Sequence, residues 1–115
     1  MTMIAPGEYV QIRNMTDQEI DDLYYAYAEH TKLKVRKTAA HAKENFMIIT
    51  TNLQKDHDLI FFFEDDPAKT FVFHDAVKKM TCDTTWAYQF YQIVEQDGCR
   101  VLIHDEEGEK EYFAS

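Results

Sequence analysis

Residues 14–30 read "NMTDQEIDDLYYAYAEH", and whether this stretch is helix or strand decides the class of the fold. Thr16 followed three residues later by Glu19 has the form of a capping box, in which each side chain satisfies a free backbone N–H near the other. Met15 before the cap and Ile20 beyond it occupy the positions of a hydrophobic staple. Asp17 and Glu19 suit the positive end of a helix dipole. Ile20, Leu23, Tyr24, Tyr27 and Ala28 recur at the spacing of one helix face. The pattern predicts a helix from residue 17 to about 30.

Outward from this stretch the chain changes character. "GEYVQIR" alternates Val10 and Ile12 with Gln11 and Arg13, which predicts a short strand before the helix. Residues 32–43 carry five basic residues and no acid, and fit either an edge strand or helical turns capped by Thr38. β-Branched and aromatic runs at 45–51, 59–64 and 70–74 predict strands. Asp75 stands where it could begin a short helix, "DAVKKM". Residues 86–94, "WAYQFYQIV", suit a strand or a helix equally. Asp97-Gly98 is a two-residue hairpin signal and predicts a strand at about 100–104. "DEEGEKEYFA" suggests a turn at Gly108 and a last short strand. The sum is a single α+β domain over residues 1–115, an N-terminal helix packed on an antiparallel sheet of about five strands.

Bulk properties narrow the function. A chain of 115 residues with 45% hydrophobic and 14% aromatic content can bury its own core. Its net charge of −9 opposes direct binding to a phosphate backbone. No apolar run approaches the roughly 20 residues of a bilayer span. The start, "MTMIAPGEYV", lacks the basic-then-apolar form of a secretory signal. Cys82 and Cys99 form no Cys-x-x-Cys pair, so reduced thiols in the cytoplasm, or a host cytoplasm, are expected.

Four kinds of site can be weighed. Glu64, Asp65 and Asp66 precede Pro67, and His74 precedes Asp75, which brings a metal or acid–base centre to mind. The composition of 65–69 is that of a turn, and the glycine and final glutamate of a calcium-binding loop are missing. His74 and His104 both fall at expected strand ends, where they could meet; exposed strand-end histidines are the simpler explanation. Cys82 has no identified base beside it, so it reads as structural rather than nucleophilic. The aromatic runs "FVF" and "YQFY" lack the glycines and basic residues of an RNA-stacking sheet and read as core.

Residues 10–30 resemble the first strand and helix of the N-acetyltransferase superfamily. That resemblance implies a Gly-rich turn whose N–H groups hold the cofactor pyrophosphate. Gly7, Gly98 and Gly108 are the only glycines and none lies in an Arg/Gln-x-x-Gly-x-Gly/Ala pattern, so acyl transfer is not adopted. The same scarcity excludes a P-loop and a dinucleotide loop.

The acids remain. Their excess is that of a solvated surface, or of a phosphate mimic that fills the basic groove of a nucleic-acid-binding protein. The make-up is similar, in composition alone, to that of phage and mobile-element inhibitors of host nucleic-acid enzymes. The expectation is a non-enzymatic protein without cofactor or metal, monomeric or homodimeric. It would bind and inhibit a basic protein partner through Glu64, Asp65, Asp66, Asp105, Glu106, Glu107 and Glu109. The alternative is a small enzyme or metal-binding protein with a site near His74 and His104.

Overall fold

The computed structural model describes residues 7–50, 53–79 and 86–114. Eight strands and one helix follow in order: β1 (Gly7–Asn14), β2 (Leu23–Tyr27), β3 (His30–Lys34), β4 (Lys43–Ile49), β5 (His57–Phe63), β6 (Phe71–Val77), β7 (Ala87–Gln96), β8 (Cys99–His104) and α1 (Glu106–Ala114). They form two four-stranded sheets, ordered β4-β1-β7-β8 and β3-β2-β5-β6. The second sheet is antiparallel throughout, whereas β1 lies parallel to β7 in the first.

The expected N-terminal helix on a five-stranded antiparallel sheet is therefore replaced by a two-sheet sandwich. The reason lies in what residues 14–27 meet. Thr16 Oγ1 donates to Asn14 Oδ1 at 2.7 Å and accepts the Gln18 N–H at 3.3 Å, so the apparent capping residue closes a tight turn. Asn14, buried, donates its amide to the carbonyls of Gln18, Thr38 and Ala39 and pins that turn to the following segment. Beyond Asp22 the run "LYYAY" satisfies a period of two as well as a helical one, and pairing decides between them. Leu23, Tyr24, Tyr25 and Ala26 lie opposite Phe63, Phe62, Phe61 and Ile60 of β5. Tyr24 and Tyr25 beside phenylalanines gain more from a pleated surface than from a helix.

The core is made by alternation on the facing sides of the two sheets. Val10, Ile12, Ile48, Tyr91, Ile93 and Leu102 from the first sheet meet Leu23, Leu59, Phe61, Phe63 and Val77 from the second. The Tyr91 ring lies 5.3 Å from that of Phe61 and 4.4 Å from that of Phe73. Each such side chain taken out of water contributes roughly 1.5–3 kcal/mol. Glu8 shares the inward parity of Val10 and Ile12 and is buried with them.

Two further expectations change at the edges. Asp75 does not start a helix: it lies within β6 at a φ of 53°, and its N–H donates to Asp58 Oδ1 at 2.8 Å. The last segment is helix α1 rather than a turn and strand. Asp105 caps it by accepting the Gly108 N–H at 3.0 Å, and Glu106, Glu107 and Glu109 occupy its first turn, where the dipole favours acids. Tyr112 and Phe113 then pack on Tyr88 and Phe90 of β7, on the side of the first sheet away from the core. Residues 86–94, open between strand and helix in the sequence, fall almost wholly in β7, and the Asp97-Gly98 hairpin forms where its signal stands.

Candidate functional site

Two hairpin turns meet at one end of the sandwich. The β5–β6 turn folds because Asp66 and Lys69 N–H groups bond to the carbonyls of Phe63 and Asp66, each at 3.1 Å, around Pro67. In the β7–β8 turn Asp97 and Gly98 both take positive φ, 53° and 78°, as a type I′ hairpin requires. Arg100, at the start of β8, ties the two turns together. Its two terminal nitrogens donate to the two oxygens of Asp22 at 2.8 and 2.7 Å, and one also reaches Asp65 at 3.2 Å. The guanidinium lies 4.0 Å from the centre of the Phe63 ring. Those donated bonds hold the Asp22 carboxyl below its ordinary pKa, against the opposing effect of burial.

Between the turns lies a cleft of about 210 Å³, with Phe63 and Phe71 as apolar walls, Asp65, Asp66 and Lys69 on one side, and Gly98, Cys99 and Arg100 on the other. Among the described residues, neither the Asp66 carboxylate nor the Lys69 ammonium has an ion-pair partner within 4.0 Å. Lys69 Nζ instead sits 5.8 Å above the Phe71 ring. Cys99 is a free, exposed thiol. Cys82 lies outside the described residues.

The seven acids singled out in sequence fall into two separate groups. Glu64, Asp65 and Asp66 are exposed beside the cleft. Glu64 pairs loosely with Lys32, 3.8 Å away. Asp105, Glu106, Glu107 and Glu109 follow the far end of β8. From Arg100 to Asp105 is five residues of strand, roughly 17 Å, so the two groups sit at opposite ends of that strand. Asp105 is buried, with its Oδ1 2.6 Å from Arg13. Glu106, Glu107 and Glu109 belong to the first turn of α1, and Glu109 is 3.5 Å from His104.

The basic stretch 32–43 does not make a separate positive pole. Lys34, Arg36 and Lys37 face Asp21, Glu44 and Glu19 at 3.3, 2.9 and 3.6 Å. His74 is occupied by Asp58 at 3.3 Å, so the two strand-end histidines are each paired with a different carboxylate. No group of three or more His, Cys, Asp or Glu suited to a metal occurs among the described residues. Nor is any helix among them long and apolar enough to cross a membrane.

Sequence reasoning missed Asp22, Arg100 and Glu8. For Glu8 the signal was available, because strand parity places it on the face of Val10 and Ile12. Its Oε1 accepts the Lys78 N–H at 2.8 Å, while Oε2 is buried with no hydrogen-bond partner among the described residues. Burial raises its pKa to about 7, against smaller opposing contributions from that bond and from the Lys78 charge. Burial likewise pushes the Tyr91 hydroxyl up, with Glu8 adding to the effect.

No protein-family model and no curated protein matches the sequence. An NMR structure of a protein from Eubacterium rectale is similar over 88% of this chain and 92% of that one, with 10% identity and a TM-score of 0.46, a likeness too distant to carry an argument about function.

Proposed function

We propose that the protein is a non-enzymatic binding module that docks the acidic hairpin end against a basic surface of another protein. Inhibition of a nucleic-acid-binding partner is the role that fits such an interface. The observation that carries this reading is the meeting of the two turns. Asp65 and Asp66 line the cleft with Arg100 and Lys69, while Glu64, Glu95 and Asp97 are exposed on or next to the same two turns, so these five carboxylates outnumber Arg100, Lys69 and Lys32 at that end. Charge of one sign on an exposed rim steers a partner of the other sign and raises the association rate.

The test is capture of partners from cells with the wild-type chain and with an Asp65→Lys/Asp66→Lys variant. Asp65 is mostly exposed, so losing its contact with Arg100 costs at most about 1 kcal/mol and leaves the fold in place. The captured partner should be lost from the variant, and its affinity for wild type should fall about tenfold or more between 50 and 200 mM salt. Undiminished capture by a folded double variant removes this interface from consideration.

A further inference from the structure

We propose that the cleft between the two turns is a receptor for a single basic side chain, an arginine in preference to a lysine, with Lys69 as its displaceable internal occupant. The inference rests on the protein-binding reading and names what the partner inserts.

Size comes first. A cleft of about 210 Å³ is smaller than the roughly 300–1,000 Å³ of sites that enclose a small-molecule ligand, but it suits one long side chain. Its walls are next. Phe63 and Phe71 stand edge to face with centres 6.1 Å apart, and each ring already faces a cation from the chain itself. The two cations are held very differently. Arg100 is locked by three donated bonds to Asp22 and Asp65, so it acts as a neutralised wall. Lys69 lies near the roughly 6 Å limit of a cation–π contact and, among the described residues, has no carboxylate within 4.0 Å. A flexible ammonium in that state yields its place at little cost.

The chemistry of the mouth selects the ligand. Asp66 has no ion-pair partner among the described residues, and a guanidinium over Phe71 can reach a carboxylate with its planar fork while it stacks. An ammonium offers no comparable stacking plane. An anion is poorly served, because the terminal nitrogens of Arg100 are already engaged and, of the cationic side chains among the described residues that line the cleft, this leaves Lys69, which shares the lining with Asp66.

The experiment is an amide chemical-shift titration of the full chain with a blocked tetra-arginine peptide, a blocked tetra-lysine peptide and inorganic phosphate. Tetra-arginine should shift the amides of Asp66, Lys69, Gly98 and Cys99. It should bind Lys69→Ala about fivefold more tightly than wild type, and Asp66→Asn about fivefold more weakly. Tetra-lysine should bind more weakly than tetra-arginine. The proposal is overturned if shifts centre on α1, if neither substitution changes the affinity, or if phosphate binds the cleft and Lys69→Ala abolishes it. Its failure is distinct from failure of the docking interface: a partner captured from cells and lost on charge reversal, with no peptide in the cleft, leaves the interface standing without this receptor.

Discussion

Replacing Glu8 with glutamine is expected to abolish a loss of stability that the wild-type protein suffers on going from pH 5 to pH 8. The carboxyl is buried between the sheets and titrates at about 7 in the folded chain, against 4.5 when exposed. Below pH 4.5 it is protonated in both states and contributes no pH dependence. From 4.5 to 7 the unfolded chain releases the proton while the folded one retains it, so stability falls as pH rises. Above 7 the folded state carries a buried, half-bonded carboxylate and the whole penalty is present. At about 1.4 kcal/mol per pH unit the difference amounts to about 3 kcal/mol. Glutamine keeps an oxygen for the Lys78 N–H and cannot ionise. Denaturant melts at pH 5 and pH 8 should show Glu8→Gln gaining about 3 kcal/mol on wild type between the two. Parallel behaviour of the two proteins would remove Glu8 as the cause. The groups nearest to this titration are Lys78, Asp56 and Tyr91; of these the Lys78 charge favours the ionised form and Asp56 opposes it.

The second large effect is expected at Asp105. Its Oδ1 accepts from both Arg13 and the Gly108 N–H, so one buried carboxylate anchors β1 and caps α1. Gly108 is tailored to it: a Cβ there would stand 2.3 Å from Asp105 Oδ2. Asp105→Ala should cost about 3–5 kcal/mol, the range for breaking a buried ion pair, because among the described residues Arg13 is left with the looser Glu111, at 3.5 Å. Loss of the cap should free α1 first, visible as increased amide exchange from Gly108 to Phe113 before global unfolding. A variant as stable as wild type would show that α1 is held by Tyr112 and Phe113 alone.

How much of this was legible in the sequence follows from the range of the interactions involved. The strands from β4 to β6, the Asp97-Gly98 hairpin and the β8 strand were readable, because β-branched and aromatic runs and a two-residue turn are local signals. Residues 14–30 misled because Thr16 and Glu19 are spaced as in a capping box, while the partner that matters for Thr16 is Asn14. Nothing local says that Asn14 will be buried and bonded to Thr38 and Ala39. At the candidate site, the acidic turn 64–66 was legible and its counterpart was not. Asp22 and Arg100 are 78 residues apart, and only the packing of the two sheets brings them together.

The parallel pairing of β1 with β7 has a consequence for how the chain is made. Gly7 leaves the ribosome 80 residues before Ala87, the first residue of the strand that completes the centre of that sheet. At about 5–20 residues per second this interval lasts roughly 4–16 s. During it β1 has at most β4 beside it, and its other edge waits for β7. Closure of that sheet therefore waits for β7, and until Ala87–Gln96 emerge the nascent chain carries an open strand edge on β1.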